Sequence, residues 1–340
     1  EHALDLSKAA LQQLPAVVHD ARGVAAAFLA FSQVRLGQMD TAVSLLQTII
    51  DDPTPLGPAK TQVYIGLSLI FHQAGELHRL SQHCDYFSSF AAGSSETNAI
   101  PGLNYVAGYP HYQRNDLTAA SRYFSTMVEL RYLSNFVAAL NTGIGLARIF
   151  QVQGKLGKAQ ELIHLLYEDT CRLQNTDLLP LLESAQAELQ LAEGKTAPAL
   201  RWAQEFQPES VQDNLFYLEV PFLTQARILV AHGSVAAVRA TSRHLEQRLA
   251  EMQRHHFTIR VIQISSHLAL VYDRLKRSDD ALASLRRALT LGRPGGFVRP
   301  FVECGPALVP FLEQLRPEDT FPEYVSQVLA GFGAEVQPTA

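Results

Sequence analysis

The sequence predicts an all-α fold, a right-handed superhelix of about seven tetratricopeptide-like helix pairs, and three observations carry that prediction. First, a glycine or polar break recurs at Gly37, Gly75, Asn115, Gly154, Gly194, Gly233 and Lys276, spaced 38, 40, 39, 40, 39 and 43 residues apart. Second, the position five after each break holds Ala42, Leu80, Ala120, Ala159, Ala199, Val238 and Ala281, and the position seven before it holds Ala30, Ser68, Gly108, Ala147, Ala187, Ala226 and Ala269. Third, the stretches between breaks place apolar residues at helical spacing, as in "LARIFQVQGKLGKAQELIHLL", with no alternating strand pattern of useful length.

Each feature has a physical reason. Small side chains before and after a break let two antiparallel helices approach to the short end of the usual 8–10 Å range. The break itself needs a left-handed or otherwise permissive backbone, which glycine and asparagine supply; Lys276 is the imperfect member of the row. Small residues flanking a glycine break mark tetratricopeptide-like pairs, here stretched from the usual 34 residues to about 39–40, so each helix gains roughly half a turn to a turn. A single pair cannot bury its apolar face, so the pairs stack into a continuous core with a concave inner surface.

This array is expected to occupy residues 1–291, followed over 292–340 by a C-terminal cap and the start of a linker to a DNA-binding domain. Within the segment "LGRPGGFVRPFVECGPALVPFL" (291–312), three glycines and two prolines fall within ten residues. The glycines permit sharp turns, and Phe297 and Phe301 are expected to pack over the open end of the last pair. A phosphate-cradling role is disfavoured, because no Lys-Ser/Thr or helix start follows at the right offset.

Composition bounds the function. With 47% hydrophobic residues in 340, the chain is a folded protein rather than a disordered tail. A net charge of −5, without any dense Lys/Arg run, argues against partners among nucleic acids and anionic membranes. Three widely spaced cysteines, Cys84, Cys171 and Cys304, read as reduced thiols serving as small hydrophobes in a cytoplasmic protein. No stretch approaches the ~20 apolar residues of a membrane span. The opening "EHALDLSKAALQQLP" lacks signal-peptide character, and its start without Met suggests a piece of a longer protein.

No enzyme constellation is present: the sequence has no G-x-S-x-G, H-E-x-x-H or C-x-x-C, and "GKLGKA" lacks the spacing and final hydroxyl of a phosphate loop. His72, His78, His83 and Cys84 fall at intervals of six, five and one, which do not put two imidazoles on one helix face; they read as helix surface and core edge. His255 and His256 read as an interhelix turn.

The inner face offers the candidate site. In tetratricopeptide arrays the residue six before the break faces the groove, and that row reads Phe31, Leu69, Tyr109, Arg148, Glu188, Arg227 and Leu270. Arg148, Glu188 and Arg227 alternate in sign over three successive pairs, forming either an inter-repeat ion-pair ladder or a recognition surface. Tyr105, Tyr109 and Tyr112, spaced four then three, share one stripe. They are either core or an aromatic wall with polar tips, and Asn141 lies next along the groove. These seven residues form the candidate effector-binding groove. Its occupant is a small molecule or, alternatively, a peptide or partner subunit docked on a scaffold.

Three stretches go beyond a generic array: "GYPHYQRNDLTAASRYF" (108–124), "LQLAEGKTAPALRWA" (189–203), and the block from "ARILVAHG" through "SDDALASLRRALTLGRPGGFVRPFVECGPALVPFLEQL" (226–315). Together they resemble the sensor region of the MalT-like regulators, the large ATP-binding LuxR-type transcription activators. The resemblance spans roughly residues 20–315. It implies a STAND-class nucleotide-binding module before the array and a LuxR-type helix-turn-helix domain after it, neither of which is in this sequence. On that reading ATP belongs only to the preceding module and the array needs no cofactor. The resemblance also implies that effector binding to the array permits self-association of the full-length protein.

Overall fold

The computed structural model describes residues 2–15, 18–51, 59–93, 99–133, 135–208, 217–315 and 321–336. Among them every regular element is helical and no strand occurs. After α1 (His2–Gln13) come the seven pairs: α2 (His19–Arg35) with α3 (Met39–Asp51), α4 (Ala59–Ala74) with α5 (Leu77–Gly93), α6 (Ala99–Gln113) with α7 (Leu117–Glu129), and α8 (Phe136–Val152) with α9 (Leu156–Arg172). They continue as α10 (Leu179–Ala192) with α11 (Thr196–Glu205), α12 (Pro221–His232) with α13 (Val235–Arg254), and α14 (Thr258–Arg274) with α15 (Ser278–Gly292). Three further helices follow, the short α16 (Arg299–Val302) and α17 (Val309–Glu313) and the longer α18 (Pro322–Val336).

Six of the seven breaks close the same way. Gly37, Gly75, Asn115, Gly154, Gly194 and Lys276 all take φ between 62° and 77°. In each, the break N–H and the next N–H reach back to the two carbonyls of a Schellman closure, as in Gly37 N to Val34 O (2.9 Å) with Gln38 N to Gln33 O (2.9 Å). Lys276 makes the same pair of bonds to Asp273 and Tyr272, both 2.8 Å, so it is a full member of the row despite its side chain. Gly233 is the exception: its φ of −83° is ordinary, and the turn is instead built by Ser234, whose hydroxyl caps α13 at Ala237 N (3.2 Å).

Both rows of small residues are buried in every pair. The fit is tightest at Gly108, where an added Cβ would lie 2.3 Å from Phe124 on the facing helix. Cys84 and Cys304 are buried as expected, but Cys171 is exposed, so it does not act as a core residue.

The superhelix closes on itself. In α14 every residue from Ile259 to Tyr272 is buried, because this helix packs on α4 as well as on α12, α13 and α15. A helix covered on all sides tends to read apolar around its circumference; "TIRVIQISSHLALVYDR" does so only in part, because Arg260, Gln263, Ser265, Ser266 and His267 are buried among its apolar residues. Beside it, His255 Nδ1 meets the Arg35 carbonyl, and a Cβ on Gly75 would lie 2.9 Å from Thr258. Further on, Val298 N donates to Gln113 O at 2.8 Å, and the Arg299 guanidinium donates to Asn115 Oδ1 at 3.3 Å. The turns of the first three pairs are thus covered by residues 255–299.

The segment after α15 therefore has a different task for Phe297 than covering the last pair. Phe301 does lie beside Gly292 at the end of α15 and meets the ring of Tyr324 edge-on. Phe297, fully buried, instead reaches across to Gly75 in the second pair. Gly296 and Gly305, at φ of 69° and 85°, supply the left-handed turns on either side of α16.

Candidate functional site

The first helices of the pairs present the row six before each break to the inside, and the structure divides that row between two cavities. Phe31 and Leu69 line one of about 320 Å³, together with Phe28, Tyr105 and Val137. Arg148, Glu188 and Arg227 line another of about 220 Å³, which is also lined by Arg299, Val302 and Glu303 from the segment after α15. Tyr109, between them in the row, is enclosed, and Leu270 is buried within α14.

The charged cavity is built from three successive pairs and two intruding segments. Arg148 Nε donates to Glu188 Oε2 at 2.9 Å, and Arg227 forms an ion pair with the other oxygen of Glu188. The ladder suggested by the sequence thus exists, but it extends further. Residues 217–220, leading into α12, run through the interior and bring Glu219 to 2.8 Å from Arg148 Nη2, while the Leu218 carbonyl accepts from Arg148 Nη1 at 3.2 Å. Glu219 also accepts from Ser184 Oγ (2.7 Å) and lies 3.0 Å from Thr224 Oγ1. From the cap, Glu303 accepts from Tyr112 Oη at 2.6 Å and from Arg299 Nε at 3.2 Å, and stands 3.5 Å from Arg148 Nη1.

Burial drives the electrostatics. It would depress the Arg148 guanidinium, but Glu219 and Glu303 more than offset it and hold Arg148 firmly charged. Arg227 is brought down to about 10, by burial first and then by neighbouring Arg148. Glu303 feels burial pushing its carboxyl up, yet Arg148, Arg299 and the Tyr112 hydroxyl together hold it below the ordinary value. His267 is driven down to about 4 by burial, and its ring lies 3.5 Å from the Cys304 sulfur, whose thiol burial pushes up.

The candidate residues fall into two groups. Tyr105, Arg148, Glu188 and Arg227 line a cavity. Tyr109, Tyr112 and Asn141, expected on an open groove, are instead buried at 0, 2 and 1% exposure and line neither of these two cavities. The reason is the closure of the superhelix, which lays the interior segment and the cap over them. Asn141 Nδ2 donates to Tyr109 Oη at 2.6 Å, and its Oδ1 accepts from Leu218 N at 2.7 Å. Tyr109 stacks on His72 at 4.6 Å, and Tyr112 is taken up by Glu303. Burial raises all three tyrosine hydroxyls of the stripe, which stay neutral.

Three charged residues of the cluster escape the sequence rule: Glu219, Arg299 and Glu303. None lies in the repeat register. The one available signal is charge: the row Arg148, Glu188, Arg227 carries a net positive charge, and a buried cluster requires a compensating carboxylate. That argument calls for a partner without identifying it among 33 acidic residues.

The histidine group does not converge. His72 is stacked in the interior, and His83 bonds the Tyr64 carbonyl at 3.1 Å. Among the described residues no cluster of three His, Cys, Asp or Glu could hold a metal ion, and no helix is long and apolar enough to cross a membrane. A separate open cleft of about 570 Å³ lies between α9, α10 and α11, with Tyr167, Gln186, Arg201 and Trp202, the only tryptophan in the chain, on its walls.

Seven stacked helix pairs define a tetratricopeptide-type scaffold. The chain belongs to the MalT-like TPR region family, which it matches over residues 1–318. No curated protein sequence matches it. Among solved structures it is similar to yeast Tom70, with a TM-score of 0.47 and 15% identity, over 96% of this chain and 61% of that one. The chain thus spans less than two thirds of Tom70.

Proposed function

We propose that this chain is the effector-sensing array of a cytoplasmic LuxR-type transcription activator, and that its effector enters the charged inner cavity. The observation that carries this reading is the composition of the cavity walls. Arg148, Glu188 and Arg227 come from three successive pairs, and Arg299 and Glu303 face them from the cap. A ligand there touches array and cap together, so its binding free energy depends on how the two are seated, which is the requirement for a sensor. Tyr105, Tyr109, Tyr112 and Asn141 back the site by fixing residues 217–220 and Glu303. The array performs no catalysis and takes no cofactor; ATP is bound by the preceding module, and residues 292–340 serve as the cap and linker.

A second reading, a docking scaffold for a peptide, is favoured by the apolar inner cavity, where Phe28 is 59% exposed. Thermal-shift screening tests the proposed site, since binding to the folded state alone raises stability by RT ln(1 + [L]/Kd). A small-molecule hit should lose its effect in Arg227→Gln and leave Trp202 fluorescence unchanged. A hit that persists in Arg227→Gln and shifts Trp202 emission places the site in the outer cleft and refutes the proposal.

A further inference from the structure

Glu303 sits in its cluster as a bound ligand sits in a receptor. Its carboxylate receives Tyr112 Oη at 2.6 Å and Arg299 Nε at 3.2 Å, with Arg148 Nη1 at 3.5 Å. These three donors come from α6, α16 and α8. Its backbone carbonyl is held by Arg227. Among the described residues of the cluster the charges balance: Arg148, Arg227 and Arg299 face Glu188, Glu219 and Glu303. If the Glu303 carboxylate leaves, one positive charge remains uncompensated beside the cavity of about 220 Å³. Any replacement must therefore be an anion.

The cavity also limits size and character. At about 30 Å³ per water, it holds roughly seven water-sized groups, and it falls below the ~300 Å³ at which drug-sized pockets begin. Its walls beyond the charges are Val152, Leu191, Ala192 and Val302, with Gln151 as the one uncharged polar side chain. Such walls suit a short, mostly aliphatic tail. Glu303 is also placed to move: it is the C-cap that follows the four-residue α16 and stands two residues before Gly305, which takes φ of 85° with open space where a Cβ would be.

We propose that the inner cavity is a carboxylate receptor whose resident occupant is the chain's own Glu303, and that a short-chain organic acid binds by taking that carboxylate's place among Tyr112, Arg148 and Arg299. This rests on the inner cavity being the effector site. Displacement of Glu303 unseats α16 from the array, and α16 is packed against α18, so the replacement is transmitted to the C-terminal end of the described chain.

The test compares wild type with Glu303→Gln, in which the amide keeps the shape and removes the charge. Butyrate, butyramide and inorganic phosphate serve as probes at millimolar concentration, read by calorimetry and thermal shift. Butyrate should bind both proteins. It should bind Glu303→Gln at least about tenfold more tightly, because a competitor present more than about nine-tenths of the time lowers apparent affinity by that factor. Butyramide should bind neither. Equal binding of butyramide and butyrate, binding of phosphate but not butyrate, or equal butyrate affinity in the two proteins overturns the proposal. If Glu303→Gln does not fold, Glu303→Asp replaces it: the shortened acid should also raise butyrate affinity, and an unchanged affinity counts against the idea. A neutral compound that stabilises wild type and fails in Arg227→Gln would overturn the carboxylate assignment while leaving the sensor reading intact. Absence of any ligand dependent on Arg227 would overturn both.

Discussion

Replacing Arg148 with methionine removes the centre of the inner cluster while keeping most of its volume. The guanidinium touches Glu188 at 2.9 Å, Glu219 at 2.8 Å and the Leu218 carbonyl at 3.2 Å, with Glu303 at 3.5 Å. The Glu219 side chain is completely buried, so it cannot recover hydration when its partner goes. Removing one partner of a buried pair costs about 3–5 kcal/mol, because the stranded charge and not the lost attraction dominates. At about 2 °C per kcal/mol for a chain of this size, the melting temperature should fall by about 6–10 °C. The decisive measurement is a double-mutant cycle by urea denaturation with Glu219→Gln. The double variant no longer strands a charge, and Ser184 and Thr224 can still bond the amide, so it should recover about 2 kcal/mol or more relative to additivity. A single-variant cost below about 1 kcal/mol, or strict additivity of the pair, would show that Arg148 does not neutralise Glu219 and would remove the electrostatic basis of the site.

Two further outcomes follow from packing and from protonation. Gly108→Ala puts a methyl group 2.3 Å from the Phe124 ring and should cost about 1–3 kcal/mol by overpacking, measured by urea midpoint; a neutral effect would show that α6 and α7 are not in close contact. His72, His83 and His267 are held down to about 3, 4 and 4, chiefly by burial. The unfolded chain therefore binds more protons than the folded one between the unfolded value near 6.5 and these folded values, and stability that is complete above about 6.5 is lost as pH falls through that window. At about 1.4 kcal/mol per pH unit for each histidine, three give a limiting slope of about 4 kcal/mol per unit, and a flat urea midpoint between about pH 7 and pH 5 would contradict their neutral burial.

The repeat was legible because its requirements are local. A Schellman turn constrains one residue and a close helix contact constrains two, all within about a dozen positions, so the rows from Gly37 to Lys276 could be read without a fold in hand. Even the two irregular members have local causes: Lys276 tolerates the left-handed backbone, and the Ser234 cap removes the need for it at Gly233. The inner-face row also marked which side chains point inward. What it could not mark is what meets them there. Tyr112 lies 191 residues from Glu303, and Asn141 lies 77 from Leu218; such pairings depend on how far the superhelix curves, and curvature accumulates from small rotations per pair. A slightly more open array would have left Tyr109 and Asn141 on a groove. Here they became interior.

The turns themselves show how one local device serves two purposes. Gly154 and Gly194 take φ of 70° and 77°, and nothing lies within 4 Å of a Cβ added to either; glycine is favoured there by backbone conformation alone. Gly75 takes the same φ of 77° but would place its Cβ 2.9 Å from Thr258, with the Phe297 ring at 3.7 Å. At Asn115 the same turn is made by a residue with a side chain, and that side chain is used, accepting from Arg299 at 3.3 Å. The early turns are thus shaped to receive the C-terminal part, whereas Gly154 and Gly194 need only reverse the chain. Arg299 joins this seam to the inner site directly, since one guanidinium bonds both Asn115 and Glu303. On the proposed function, a ligand that rearranges Glu303 would therefore act on the contact that holds the third pair to the segment after α15, joining the proposed site to the closure of the superhelix.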